Sequence, residues 1–371
     1  MLTNKIFAAV FNAFRRFSIK KNKVTLIEKL DTGGTGSLFS IQKECEKRGL
    51  PYDFHIISQK DYETSLGNLL GLIRLFTVKT YHLATSEYVF LNDNFIPMAF
   101  MNFDPKVTIV QLWHGMGSFK KFAGSSETDP DMLDLIARVN RQVTCILASS
   151  ENIRDNYAEA FCVPKEKVQA LACPQADFYF EDHDVDVWKE EIIKDHPNAR
   201  GKKWILYAPT FRGEEEKDRE LLDHFDFDAF QEKLGEEYCL MVRLHPQIHA
   251  GEVPEHIIDM TKYPNIRKLL CMTDVLIADY SSIAVEYSLL DRPILIYAYD
   301  KDWYLKMDRG FYFDFEKTAP GPISETMEEL ITDIQEERWD LEKVEAFARL
   351  HNDFYDNQST NRVIDHFLDC K

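Results

Sequence analysis

Long hydrophobic runs are missing from this 371-residue chain. No apolar stretch reaches the roughly 18 residues that a bilayer-spanning helix requires, so no membrane span is expected. Cysteine is sparse and unpatterned: Cys45, Cys145, Cys162, Cys173, Cys239, Cys271 and Cys370 are odd in number and show no CxxC spacing. That excludes a zinc ribbon or a disulfide framework and reads as reduced core thiols in a cytosolic protein. Positive charge is also short, with 44 Lys and Arg against 62 Asp and Glu and a net charge of -18. A phosphate polymer would be repelled by most of such a surface, so nucleic acid is not the expected partner, although a local basic pocket for a small anion is compatible with it. The glycine-rich turn Asp31-Thr32-Gly33-Gly34-Thr35-Gly36-Ser37 lacks the lysine of a P-loop. No carboxylate cage for magnesium stands out; Asp279 and Asp300 are the two candidates.

What is present is an ordinary globular composition, 45% hydrophobic and 29% charged, in a chain long enough for two domains. The most informative stretch is Asp274 to Tyr297. The run Val275 to Ala278 has the length and branching of a buried strand and stops at Asp279-Tyr280-Ser281-Ser282. Ile283, Glu286, Tyr287, Leu289 and Leu290 then repeat at helical spacing, and Ile294 to Tyr297 forms a second strand after Arg292-Pro293. This is a βαβ unit and implies a parallel sheet. Ser281 and Ser282 at the helix start would suit a phosphate, or would simply cap the helix.

Strand and helix alternate along the rest of the chain. Strands are expected at Val24 to Leu30, Phe54 to Ile57, Tyr88 to Leu91, Val107 to Trp113, Cys145 to Ser149, Gln169 to Cys173, Trp204 to Tyr207 and Cys239 to Val242. The charged run Gly213 to Glu220 reads as a mobile solvated loop, and Met327 to Lys371 as helical. The boundaries drawn are 1–23, 24–177, 178–340 and 341–371, with the last segment packing back on the first domain. In residues 1–23, Ile6, Phe7, Val10, Phe11, Phe14 and Phe17 form one helical stripe, while Lys5, Arg15, Arg16, Lys20, Lys21 and Lys23 carry charge that no acid offsets. A basic amphipathic helix on an acidic protein suggests an anionic membrane surface; packing of the stripe on its own domain is the alternative. The segment has no small-residue cleavage site of a secretory signal.

Candidate ligand groups follow the strands. Arg212, Arg243, His245, Ser281 and Ser282 are expected on one edge of one sheet, where they would bind a diphosphate without a metal. Structural ion pairing of Arg243 and turn packing of His245 are the plain alternatives. The glycine-rich turn with Gly34 would cradle a phosphate or a hydroxylated substrate, or serve as a tight strand-to-helix connection. His114 ends its own strand beside Gly115, with Lys120 and Lys121 nearby. An imidazole there can accept a proton from a hydroxyl nucleophile at neutral pH, or be a structural loop residue.

Taken in order, Gln111-Leu112-Trp113-His114-Gly115 with Lys120 and Lys121, Ala208-Pro209-Thr210-Phe211-Arg212, Arg243-Leu244-His245-Pro246, Asp279-Tyr280-Ser281-Ser282 with Leu290-Asp291-Arg292-Pro293, and Arg309-Gly310-Phe311-Tyr312 with Pro320-Gly321-Pro322 resemble the CDP-glycerol glycerophosphotransferases of teichoic acid and capsule synthesis. The resemblance covers about residues 100 to 325. It implies an α/β fold of GT-B type, two Rossmann-like domains whose parallel sheets face a central cleft, at the inner face of a bacterial membrane. It implies that an acceptor hydroxyl on a lipid-linked saccharide or polyol phosphate chain attacks the β-phosphate of CDP-glycerol and expels CMP, with no cofactor. His114 would be the base. Arg243, His245, Ser281 and Ser282 would hold the pyrophosphate, assisted by Arg212, Thr210 and Asp279, with Gly115, Lys120, Lys121 and Gly34 on the acceptor side. Met116-Gly117-Ser118 and Glu286 depart from the family pattern. CDP-ribitol or another activated donor, and a non-catalytic nucleotide-binding membrane subunit, are the rival readings.

Overall fold

The computed structural model describes residues 2–30, 35–62, 68–212, 214–245, 248, 252–307 and 310–369. The chain divides into two compact units, residues 1–177 with 352–371, and residues 178–351.

The first unit holds β1 (Lys20–Glu28), β2 (Asp53–Ser58), β3 (Ser86–Leu91), β4 (Thr108–Gln111), β5 (Cys145–Ala148) and β6 (Val168–Ala170). They pair in the order β2-β1-β3-β4-β5-β6, parallel at each junction. Val24, Leu26, Phe90, Val110 and Leu147 are buried in one cluster with Leu38 and Ile41 of the helix Ser37–Lys47. Strands covered on both faces need no polar alternation, which is why apolar residues run together in the central strands, as in Tyr88 to Leu91 of β3 and Ile109-Val110 of β4.

The second unit holds β7 (Lys203–Ala208), β8 (Tyr238–Val242), β9 (Ile258–Asp259), β10 (Val275–Ala278), β11 (Ile294–Tyr297) and β12 (Ile323–Ser324). Their order, β12-β11-β10-β7-β8-β9, is that of a doubly wound dinucleotide-type sheet. It reverses between β7 and β10, the point where such sheets bind ligands beyond their carboxyl ends. Gly321 is required by packing: a Cβ there would lie 1.9 Å from the Ile294 carbonyl oxygen. The Pro320-Gly321-Pro322 segment thus seats β12 beside β11, with the Ile296 N–H donating to the Pro322 carbonyl at 2.9 Å.

Several expectations are corrected. The amphipathic helix is Leu2–Phe14, and β1 begins at Lys20 because Lys20 already pairs with Ser86. Lys20, Lys21 and Lys23 therefore belong to a strand, and Lys23 is buried, its Nζ donating to Thr85 Oγ1 at 2.7 Å. Burial, with Lys20 alongside, lowers its pKa to about 8. The apolar stripe is split: Phe7 and Phe11 are buried against Phe76, Phe95 and Phe103, whereas Ile6 and Phe17 are half exposed. Within the run expected as a loop, Glu215–Glu220 is helical, and its buried Asp218 accepts the Arg212 N–H at 2.5 Å. The helix Leu341–His351 stays with the second unit, and Leu341 is exposed. Only the segment from Asn352 returns to the first, where Val363, Ile364 and Leu368 of the tail enter the core.

Candidate active site

β4 ends at Gln111, and the chain turns sharply through Trp113, His114 and Gly115. Trp113 holds φ at 60°, a left-handed conformation that is costly for a bulky residue and tends to mark functional positions. Its N–H donates to Gln111 Oε1 at 2.9 Å, and its ring packs on Phe122 and Phe161. Gly117 has φ 67° and its N–H donates to Ser149 Oγ at 3.1 Å; the Tyr157 hydroxyl donates to the carbonyls of Gly115 and Gly117. At Gly115 an added Cβ would make only ordinary contact with the Trp113 indole. These ties fix the loop on β5 and the helix Arg154–Phe161.

The consequence is a defined imidazole. His114 Nδ1 lies 3.2 Å from the Asn92 carbonyl oxygen, which can only accept, so Nδ1 carries the proton and Nε2 is left with its lone pair. The residue is solvent-exposed by area. Even so, partial loss of hydration lowers its pKa below the usual histidine value; Asp93 and the Asn92 carbonyl act the other way, and Lys29 adds to the lowering. The ring is therefore neutral at neutral pH, the state a general base needs. Asp93 pairs with Lys29 at 3.2 Å. Asp93→Asn removes the charge that raises the His114 pKa and should move the acid limb of the activity profile to lower pH; an unmoved or raised limb in a pH–rate profile would contradict this assignment.

In the second unit, the segments after β7, β8 and β10 lie at the carboxyl ends of three adjacent strands. Arg212 is fully buried there. Its Nη1 is 2.7 Å from Asp279 Oδ2, its Nε 2.6 Å from Asp300 Oδ2, and Nη1 also donates to the Thr210 carbonyl. The guanidinium lies against the faces of Tyr280, Tyr299 and Tyr304. Burial alone would lower its pKa, but Asp279 and Asp300 outweigh that and hold it well above the usual arginine value. Asp279 also accepts from the Thr210 N–H at 2.9 Å and the Tyr280 N–H at 2.6 Å. Arg212 and Asp279, expected to touch a donor, are held in contacts that brace the turn carrying Ser281 and Ser282. The two carboxylates considered for magnesium are held by Arg212.

Arg243 donates from Nη1 to the carbonyls of Met260 and Tyr263 at 2.9 and 2.7 Å, leaving Nε and Nη2 without a partner among the described residues. Burial lowers its pKa. His245 is exposed with its ring 4.8 Å from that of Phe211. Ser282, at the N-cap position, is exposed and makes no side-chain cap hydrogen bond, whereas Ser281 Oγ accepts the Ile283 N–H at 3.3 Å. That helix, Ile283–Tyr287, is short, so hydroxyl and backbone groups at this turn matter more than any helix dipole. Thr210 Oγ1 is buried with no hydrogen-bond partner among the described residues.

The model of the CDP-glycerol:poly(glycerophosphate) glycerophosphotransferase family matches residues 8–369. The chain belongs to this family. It is 32% identical to the teichoic acid poly(ribitol-phosphate) polymerase of Bacillus spizizenii over 99% of its length, and spans 59% of that relative. It is 33% identical to the teichoic acid ribitol-phosphate primase of the same organism, over 81% of this chain and 79% of the primase. Among solved structures, a variant of the wall teichoic acid polymerase TagF superposes with a TM-score of 0.79 at 21% identity, covering 98% of this chain and 92% of that one. The likeness shows the fold, an α/β protein of GT-B type with two Rossmann-like parallel sheets.

Within this glycerophosphotransferase family chain, Gly34, Arg309 and Pro246 lie outside the described residues. Lys120 and Lys121 are half-buried just beyond the His114 loop, and Lys121 reaches Glu159 at 3.8 Å. Glu286, noted as a departure, accepts the Tyr179 hydroxyl at 2.6 Å and lies 3.8 Å from Arg267, a structural role. Sequence reasoning missed Asn92, Tyr157 and Ser149, which set the His114 loop. Asn92 follows the end of β3, a position that parallel-sheet topology alone marks for attention.

Proposed function

We propose that this chain transfers a polyol phosphate from a CDP-activated polyol to an acceptor hydroxyl in teichoic acid synthesis and releases CMP. The observation that carries the reading is the neutral His114, with Nδ1 committed to Asn92 and Nε2 available. Nε2 takes the proton of the acceptor hydroxyl as its oxygen attacks the β-phosphorus, and the bond to the CMP oxygen breaks. Arg243 and His245 hold the pyrophosphate with Ser281, Ser282 and the Thr210 hydroxyl. They stabilise the negative charge that moves onto CMP. Arg212 and Asp279 act through the turn they brace. Gly115, Lys120 and Lys121 face the acceptor, a lipid-linked saccharide or polyol phosphate chain.

CDP-glycerol is the donor that the family description names. Two relatives named as ribitol-phosphate enzymes support CDP-ribitol as a second reading. No helix among the described residues is long and apolar enough to cross a membrane. We place the chain peripherally at the cytoplasmic face of a bacterial membrane, supported by the exposed Ile6 and Phe17 beside Lys5, Arg15 and Arg16.

CMP release by the purified chain, with CDP-glycerol or CDP-ribitol and a lipid-linked saccharide acceptor, tests the proposal. Acceptor-dependent CMP from one donor is the expected result and names it. Tight nucleotide binding without release from either donor would favour a non-catalytic binder. His245→Ala should weaken donor binding about tenfold or more, the worth of one charge-assisted hydrogen bond, when measured by calorimetry.

A further inference from the structure

Between the edge strand β2 and the helical stretch Leu69–Ala84 lies a cavity of about 360 Å³, away from His114 and its loop. His55, His82, Arg74 and Lys79 supply its polar lining, and Phe54 and Val78 an apolar wall. The helical stretch is not uniform. It is α-helical over Leu69–Arg74 and Thr80–Ala84, with a π-helical turn at Leu75–Lys79 between them. In plain α winding Lys79 would lie about 140° round the axis from Arg74. The wider turn brings both cations to one cavity, and π turns recur at functional sites.

The side chains are arranged for an anion. The rings of His55 and His82 stack with centroids 3.5 Å apart, and His55 Nε2 is 2.9 Å from Asp53 Oδ2. His82 Nδ1 is buried with no hydrogen-bond partner among the described residues, a cost that a bound ligand would remove. Lys79 pairs with Asp61, whereas Arg74 is exposed and makes no ion pair with the described residues. Beside the cavity, Leu69, Leu70 and Ile73 are 63%, 81% and 50% exposed, a concentration of large apolar side chains that a water-facing helix does not need.

We propose that this cavity binds the phosphate ester headgroup of an amphiphile. Arg74 and Lys79 take the anion, the two imidazoles complete its hydrogen bonds, and Leu69, Leu70 and Ile73 rest among the acyl chains. The amphiphile half of the inference rests on the peripheral membrane reading above; the anion half stands on the cavity.

The test is flotation of the full chain with phosphatidylcholine vesicles that carry either phosphatidylglycerol or, at matched surface charge, the carboxylate lipid cholesteryl hemisuccinate. Calorimetry with soluble glycerophosphate runs alongside. The wild-type chain should prefer the phosphate lipid by about tenfold. Arg74→Gln and His55→Gln should lose that preference, and Arg16→Gln, outside the cavity, should keep it. Arg74→Gln should leave the thermal unfolding midpoint unchanged, because Arg74 holds no ion-pair partner among the described residues. Glycerophosphate binding that is lost in Arg74→Gln, without any vesicle preference, supports the cavity with a free phosphate ester as its ligand. Equal binding to both charge-matched vesicles and no glycerophosphate binding would overturn the cavity while sparing the membrane reading. Absence of all vesicle and glycerophosphate binding would overturn both.

Discussion

His114→Ala should lower kcat by about a thousandfold, in the middle of the range that a positioned general base contributes, while the Kd for the CDP-polyol stays within about threefold of wild type, since the imidazole is assigned to the acceptor hydroxyl and not to the donor. The geometry argues for a clean separation. Trp113 packs on Phe122 and Phe161, and Gly117 is tied to Ser149 and Tyr157, so the loop does not depend on the imidazole for its shape. Stopped-flow donor binding beside steady-state CMP release checks both halves. The residual activity should also lose the acid limb set by His114. Equal loss of donor binding and turnover would sink the division of roles.

Arg212→Gln should destabilise the second unit by about 3–5 kcal/mol, because it leaves the buried Asp279 and the partly buried Asp300 near each other with no guanidinium between them. The effect is expected to exceed that of Asp300→Asn, in which Arg212 keeps Asp279 and the Thr210 carbonyl. Lysine should not rescue the site, since an ammonium cannot make the paired contacts of a planar guanidinium. Urea unfolding followed through the fluorescence of the buried Trp204 reports on this unit. A loss for Arg212→Gln no larger than that for Asp300→Asn would mean that the bracket is not what holds the turn.

These two residues also show what a chain of letters reveals and what it hides. β10 and β11 coincide with the runs Val275 to Ala278 and Ile294 to Tyr297, because strands buried on both faces are written as uninterrupted apolar residues. β9 and β12 were not legible, since two-residue strands leave no periodicity to read. The placement of candidate ligand groups after β7, β8 and β10 follows from parallel topology. The partners of Arg212 do not: Asp279 and Asp300 stand 67 and 88 positions away, and only the fold brings them to one guanidinium. Leu69 and Leu70 belong to an apolar run, yet they are exposed. Hydrophobicity in a sequence states what a side chain favours, not what it meets.

The return of the chain to its first unit bears on biosynthesis. Residues 178–351 form a contiguous body, so everything its core requires is synthesised before residue 352 is added. The first unit has no such independence: Val363, Ile364 and Leu368 share one buried cluster with Val24, Leu26 and Phe90, all far upstream in the chain. Until those last turns are translated, part of the earlier sheet has no cover. A nascent chain stalled before Asn352 would therefore present a greasy, half-finished surface, a natural handle for chaperones and proteases.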